Sequence, residues 1–216
     1  FMLDYRDSGM MGSPDNADPA CLWATWQREP DTVTQRVVEV MRQVRPHVVI
    51  TFNEYGGYGH PDHIAIQQAT GAAMDHVNDE TYLTGDLTPY QPQKLYYSSI
   101  TKFPIQVGIA LARLRGKNPR ALGRNEDIDI VAILDHTDDP TTKIDVRDYF
   151  QQWDESGACH ASQGGGSIKR FPIWLRKMTF PEQTFRRVFP EPERSGIIEY
   201  DLFEEVKLDE GQVVVV

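Results

Sequence analysis

Hydrophobic residues in this chain alternate between helical spacing and short continuous runs. Five apolar residues recur at intervals of three or four, which predicts a helix that has Asp31 as its N-cap and stops at Pro46: Val33, Val37, Val40, Met41 and Val44. The apolar run Val48 to Phe52 follows, and its continuity is typical of a strand covered on both faces. A helix and then a buried strand are therefore predicted.

The rest of the chain continues this alternation. The predicted helices are Pro61 to Val77, Ile105 to Leu114 and a segment that carries Trp153 and reaches Ser162, and the predicted strands are Leu95 to Ile100 and Ile128 to Leu134. Residues Met10 to Pro30 and Asn78 to Gln93 are rich in polar and turn-forming residues, which predicts loops. The pattern indicates an α/β fold, a layered sandwich with a mostly parallel sheet. We expect one domain over 1–216, with 165–216 as a C-terminal extension of uncertain structure.

Composition narrows the range of partners. The chain has 22 basic and 32 acidic residues and a net charge of −10, which argues against nucleic acid and anionic membranes as partners. No apolar run approaches the ~18 residues of a membrane helix. Two cysteines far apart in sequence indicate no disulfide framework, so a reducing cytoplasm is the expected location. The composition leaves the oligomeric state open.

The glycine-rich segment Gly56 to His63 lies between the Val48 to Phe52 strand and the next helix, where open α/β proteins place their ligands. With Pro61 at the first helical position, His60 is the N-cap and His63 lies in the first turn. The positive end of the helix disfavours a charged imidazole there, and a metal needs the neutral form. This predicts a hydrolytic metal site, although a capping histidine and a packed histidine would give the same pattern.

Two neighbours suit such a site. Asp62 is near enough to orient a histidine, and His60 can act as a general acid or charged stabiliser facing an oxyanion. Tyr58 lies between glycines, so its hydroxyl can swing towards the same charge. The acidic segment Asp135 to Asp139 follows a predicted strand and is interpreted as a solvated turn, with oxygen coordination of a cation as the alternative.

The run from Asn53 to His63 resembles the second motif of the LmbE-like/PIG-L family of zinc-dependent de-N-acetylases. It is most similar to the branch that deacetylates glucosaminyl-inositol in mycothiol synthesis and to the mycothiol conjugate amidases. Two further stretches agree: Tyr5 to Met10 resembles the substrate-side loop, and Thr141 to Val146 with His160 to Gln163 resembles a later strand and helix. The resemblance spans about residues 3 to 165 and implies a Rossmann-like fold.

The resemblance also implies roles for individual residues. It implies Zn²⁺ as cofactor, with His63 as a ligand. His60 would face the tetrahedral oxyanion, Asp62 would orient His60, and Tyr58 would be a mobile oxyanion donor. Three residues are implied near the substrate: Asp7 and Met10 in the sugar pocket, and His160 near the site.

The sequence departs from the family in one motif. His-Pro-Asp-Asp-Glu, which supplies a zinc histidine, a zinc aspartate and the general base in the family, occurs nowhere in the chain. We expect that this part of the protein, with its N-terminal strand or strands, is absent from the chain, and that the chain alone is inactive. The expected function is removal of an N-acetyl group from a small-molecule N-acetylglucosaminyl conjugate. The alternatives are an amidase acting on a thiol conjugate and a non-catalytic sugar-binding module.

Overall fold

The computed structural model describes residues 1–82, 85–123, 125–160 and 172–208. Its helices are α1 (Leu22–Arg28), α2 (Pro30–Val44), α3 (Gly56–Gly59), α4 (Pro61–His76), α5 (Lys102–Leu114), α6 (Ile130–Asp135), α7 (Phe150–Cys159) and α8 (Ile173–Thr179). Its strands are β1 (Val48–Thr51), β2 (Lys94–Ser99), β3 (Thr142–Asp145) and β4 (Glu182–Phe189). Two 3₁₀ turns span Pro14–Ala17 and Arg147–Tyr149.

The described strands form one sheet in the order β1-β2-β4-β3. Strands β1 and β2 are parallel, with Val48 opposite Lys94, whereas β4 is antiparallel to both β2 and β3. The predicted mixed α/β architecture is confirmed. The sheet is less parallel than predicted, because the C-terminal strand β4, which the hydrophobic pattern did not resolve, inserts between β2 and β3.

Helices α2 and α4 cover one face of the sheet. Their apolar stripes meet Leu95 of β2 in a core cluster whose other buried members are Val33, Val37, Val38, Met41, Ala69, Ala73, Met74 and Val77. The small alanines of α4 let the two helices approach closely. This packing fixes the start of α4, and hence the two histidines, relative to the end of β1.

A buried polar cluster stabilises the other face of the sheet. Lys94 and Tyr96 of β2 contact the carboxylate of Glu199, which comes from the chain after β4. The described part of the predicted C-terminal extension therefore supplies a strand and a buried anion to the sheet. The division into a domain and an extension itself stays a prediction.

Three local predictions were wrong. Most of the apolar run Ile128 to Leu134 lies in helix α6, which begins at Ile130, rather than in a strand, and the Asp129 carboxylate caps the first turn of this helix. A short apolar run is compatible with either structure, and here the cap decides. The predicted loop Met10 to Pro30 contains α1, capped by Cys21, and α2 starts after Glu29 rather than after Asp31.

The predicted helix that carries Trp153 is confirmed in part. Helix α7 carries Trp153 and ends at Cys159, three residues before the predicted end, with His160 as its C-cap. The end predicted at Ser162 lies outside the described residues.

Candidate functional site

A tight glycine loop connects β1 to α4. Gly56 has a φ of 68°, and a Cβ added to it would lie 2.9 Å from the backbone nitrogen of Ile64 in α4. Only glycine fits a positive φ at such a close approach. The buried Asn53 side chain accepts from the Gly57 N–H at 2.8 Å. The loop is therefore packed directly onto the first turn of the helix that carries the histidines.

The two histidines use their Nδ1 atoms in opposite ways. His60 is the N-cap of α4, and its Nδ1 accepts from the backbone N–H of Asp62 at 3.2 Å. The Nδ1 of His63 lies 3.1 Å from the carbonyl oxygen of Gly56, so it must be the donor there. A neutral imidazole has one N–H. His60 therefore presents an Nε2–H donor, and His63 presents an Nε2 lone pair.

The environment of His63 keeps its imidazole neutral. Its ring stacks on Phe52 with centroids 3.8 Å apart, and the His60 ring centroid is 4.9 Å away. Burial is the main factor that lowers the pKa of His63, and it outweighs the hydrogen bond to the Gly56 carbonyl, which raises that pKa. An N–H donated to a backbone carbonyl is the usual support of a metal-ligating histidine. His63 is thus prepared as a ligand through Nε2.

The Asp62 carboxylate is held by Ser8, not by a histidine. It accepts from the backbone N–H of Ser8 at 3.0 Å and from the Ser8 hydroxyl in a short hydrogen bond. The hydroxyl in turn accepts from the N–H of Trp23 at the start of α1. Within the described residues, His60 is oriented by the Asp62 backbone instead of the predicted side-chain contact. The Asp62 carboxylate connects α4 to the N-terminal segment.

Asp7 lies beside these groups. The ligand atoms of Asp7, His60 and Asp62 are all within 4.8 Å of one another, a spacing that could hold a cation. The Nδ1 lone pair of His60 already caps the helix, however, which leaves this ring without a free lone pair in its neutral form. Asp7 is exposed, and its Oδ1 accepts from the Gly9 N–H at 2.7 Å.

Tyr58 contacts both imidazoles. Its ring meets His63 edge-on with centroids 5.1 Å apart and His60 with centroids 5.9 Å apart. Burial raises the pKa of the Tyr58 hydroxyl, and the charges of Asp7, Asp127 and Asp62 raise it further. The hydroxyl is therefore a stable proton donor at neutral pH.

The other two predicted site residues are separate from this group. Met10 is half-buried, and its carbonyl accepts from the side chain of Asn16 at 3.2 Å within the N-terminal loop. His160 is exposed at the end of α7, and none of its contacts within the described residues reaches the histidine pair. The structure brings together Asp7, Tyr58, His60, Asp62 and His63.

Helix α6 supports the glycine loop from outside. The ring of His136 stacks on Tyr55 with centroids 4.3 Å apart, and the His136 carbonyl accepts from Asn53 at 3.0 Å. The acidic residues that follow are paired, Asp138 with Arg186 and Asp139 with Lys102. These ion pairs agree with the interpretation of this segment as an ordinary polar turn.

Sequence reasoning missed three supporting residues. Ser8 lies in the stretch Tyr5 to Met10, Phe52 ends the predicted strand, and Asn53 begins the run to His63, but none of the three was assigned a role. Phe52 and Asn53 stand within four residues of Gly56, and this closeness in sequence is a signal that could have indicated loop support. The contact between Ser8 and Asp62 joins residues 54 positions apart, and no local pattern indicates it.

Comparisons with known proteins agree with this geometry. Residues 1–74 match the PIG-L family, described as GlcNAc-PI de-N-acetylase. The predicted family resemblance is confirmed. The PIG-L match includes the glycine loop, both histidines and Asp7.

Curated relatives extend the similarity to most of the chain. They include proteins named 1D-myo-inositol 2-acetamido-2-deoxy-alpha-D-glucopyranoside deacetylase. The protein from Thermobifida fusca is 34% identical over 169 residues, covering 78% of this chain and 56% of the relative. Those from Acidothermus cellulolyticus and Geodermatophilus obscurus are 37% and 34% identical, over 74% of this chain and 49% and 53% of theirs. The chain thus spans about half the length of these relatives.

The PIG-L resemblance implies zinc, and one donor of this chain fits it well. His63 offers a neutral Nε2 whose partner nitrogen is held by a backbone carbonyl, as in protein zinc sites. A catalytic zinc ion normally has three protein ligands and a water. Within the described residues, His63 is the donor that could serve as one of these three ligands without rearrangement.

Among the helices of the described residues, none combines the length and the apolar character of a membrane span.

Proposed function

We propose that this chain forms the oxyanion-facing part of the active site of a zinc-dependent hydrolase. The hydrolase removes the N-acetyl group from a small-molecule N-acetylglucosaminyl conjugate. The opposite hydrogen-bonding states of the two histidines carry the proposal, because one ring suits a metal and the other suits an anion. The names of the curated relatives supply the substrate class and favour a deacetylase over an amidase acting on a thiol conjugate.

The proposed roles follow from the donors and lone pairs of the site. When bound, zinc lowers the pKa of a water and polarises the amide carbonyl, and His63 Nε2 is one of its ligands. The His60 Nε2–H donates to the oxygen that becomes negative when the carbonyl is attacked, which lowers the barrier. The Tyr58 hydroxyl donates to the same oxygen. Its raised pKa keeps the proton on it.

The remaining groups position the substrate. Asp62, fixed by Ser8, holds the start of α4 against the N-terminal segment that carries Asp7 and Met10. We propose that Asp7 accepts hydrogen bonds from sugar hydroxyls, since its carboxylate is exposed and lies near His60. The sugar contact of Met10, the role of His160 and the cytoplasmic location stay predictions.

The proposed roles, His60 as an oxyanion donor and His63 as a zinc ligand, are tested by comparing His60→Ala and His63→Ala in the full-length protein. His60→Ala should reduce turnover by about 10²–10³ and leave zinc content unchanged, as expected for loss of one oxyanion donor. His63→Ala should reduce both. The matched control is His76→Ala at the far end of α4, where the ring stacks on Tyr82. Zinc is measured by elemental analysis after dialysis, and equal loss in the two site variants would contradict the proposal.

The 216 residues alone should bind zinc weakly and release no acetate. The described residues present one ready imidazole ligand, whereas a catalytic zinc site needs three protein ligands. The measurement is acetate release from N-acetylglucosaminyl-inositol, with the full-length protein as the positive control. Stoichiometric zinc with acetate release from the 216 residues would refute this expectation. Sugar binding without acetate release from the full-length protein would instead favour the non-catalytic module.

A further inference from the structure

Helix α5 carries a stripe of large apolar side chains on its solvent side. Phe103 and Leu114 keep 74% and 83% of their surface exposed, and Val107 and Leu111 keep 40% and 42%. At 3.6 residues per turn these four side chains and Ala110 fall within an arc of about 100°. An arc of this width normally faces a protein core. The opposite side of α5, with Ile109 and Ala112, already does so.

The stripe coincides with a local reversal of charge. Residues 101–125 contain six basic residues and no acidic one, which leaves 16 basic and 32 acidic residues in the rest of the chain. Lys102 and Arg120 pair with Asp139 and Asp129. Three exposed cations at the C-terminal end of the helix have no acidic partner within the described residues: Arg113, Arg115 and Lys117. The net charge of −10 over the 216 residues, from which no anionic membrane was predicted as a partner, conceals this basic segment.

These observations together select the kind of surface that would cover α5. A second copy of the chain in a parallel arrangement would bring the same basic residues against each other. In an antiparallel arrangement it would place them opposite Lys102 and Asp139, which already pair with each other. An anionic lipid surface supplies both an apolar layer for the stripe and negative charge for its basic end. We propose that α5 lies in the interface of an anionic lipid membrane, with the Phe103-to-Leu114 stripe facing the acyl chains.

The position of α5 would bring the histidine site close to that surface. Helix α5 packs on α6, with Gly108 lying against Ile130. The end of α6 carries His136, whose ring stacks on Tyr55 of the glycine loop. The inference rests on exposure and charge alone and does not depend on the proposed hydrolase activity.

Vesicle co-sedimentation of the full-length protein tests the proposal. The probes are phosphatidylcholine vesicles with and without phosphatidylglycerol, at low and high salt. We expect binding only to the anionic vesicles, weakened by salt. Phe103→Ser with Leu114→Ser should lower the partition constant at least tenfold. Replacing the three free cations by Gln should lower it about fivefold per residue at low salt.

The matched control replaces exposed aromatics in an acidic segment, Tyr200→Ser with Phe203→Ser, and should bind like the wild type. Circular dichroism verifies folding, and the Gln variant keeps the test valid if the Ser variant does not fold. Undiminished binding of the Ser or Gln variant overturns the proposal. Light scattering that shows an oligomer lost on Phe103→Ser with Leu114→Ser also overturns it, because the stripe is then a contact between copies. The proposal is also overturned if the protein binds an acidic protein but neither kind of vesicle.

Discussion

Replacing Glu199 by glutamine should destabilise the fold strongly. Glu199 is 4% exposed, and its carboxylate accepts four side-chain hydrogen bonds. Lys94 and Arg187 donate to Oε1 at 2.7 and 2.5 Å, and Tyr96 and Thr142 donate to Oε2 at 2.8 and 3.0 Å. The group joins β2, β3 and β4 to the chain that follows them. Its negative charge compensates two cations on the buried face of the sheet.

The magnitude follows from what the substitution removes. Glutamine keeps the shape, and the Tyr96 and Thr142 hydroxyls can rotate to accept from its amide, so most hydrogen bonds can re-form. The charge is lost, and Lys94, whose side chain is 6% exposed, stays buried beside Arg187 without an anion. Breaking a buried pair in this way costs about 3–5 kcal/mol. Glu193→Gln, on an exposed side chain, should change stability by less than about 0.5 kcal/mol.

Urea unfolding followed by fluorescence measures the difference, and its pH dependence gives a second test. Burial alone raises the pKa of Glu199, but the hydrogen bonds from Lys94, Tyr96 and Thr142 outweigh it, so the pKa of the folded state lies below the ordinary 4.5. A lowered pKa means that the stabilisation is complete above 4.5 and is lost as the pH falls through the folded-state value. The gap between wild type and Glu199→Gln should therefore close in acid.

Two results would refute this account of Glu199. One is a cost below about 1 kcal/mol at neutral pH, close to that of an exposed substitution. The other is a gap that persists unchanged in acid. Adding Lys94→Gln to Glu199→Gln should cost less than the sum of the single changes, because the double variant removes one charge of each sign.

Two further predictions concern the site. Ser8→Ala removes a hydrogen bond to the Asp62 carboxylate. Because hydrogen bonds to charged groups contribute about 1.5–3 kcal/mol, this variant should lower kcat/KM at least about tenfold without loss of zinc. Unchanged kinetics would show that Asp62 needs no such support. Gly56→Ala should destabilise the protein, because the new Cβ meets the α4 backbone at 2.9 Å. Gly71 lies within α4, and a Cβ added to it meets nothing within 4 Å. Gly71→Ala should therefore stabilise the protein by up to about 1 kcal/mol in thermal unfolding. Equal effects of the two glycine changes would contradict the packing argument.

The fold was predictable where one face of an element is buried. The spacing in α2 reports its buried face directly, and the continuous run in β1 locates the strand. The predicted cover on both faces of β1 was wrong, because this strand lies at an edge of the described sheet and Ile50 keeps 49% of its surface exposed. The strand predicted at Ile128 to Leu134 was wrong because six helical residues give too few turns to show a helical period. Strand β4 carries Arg186 and Arg187, whose charges are compensated by Asp138 and Glu199, and such long-range pairing hides a strand from a hydrophobic pattern.

The site was predictable in position but not in its connections. The glycine loop, the proline at the first helical position and the two histidines are contiguous in sequence, so local reasoning places them correctly. The partner of Asp62 is determined by how the N-terminal segment folds back onto α4. The family resemblance implied that Asp62 orients His60, whereas the carboxylate contacts Ser8.

The proposed division of roles between the two histidines rests on main-chain hydrogen bonds. The Nδ1 partner of His60 is the N–H of Asp62, and that of His63 is the carbonyl of Gly56. Side-chain changes nearby leave both partners in place. A change in the loop backbone moves the Gly56 carbonyl directly, whereas it reaches the Asp62 N–H only through its contact with the first turn of α4. Gly56→Ala should accordingly impair zinc binding through His63 more than the capping of α4 by His60, so this single loop glycine should separate the proposed metal-binding role of His63 from the proposed oxyanion role of His60.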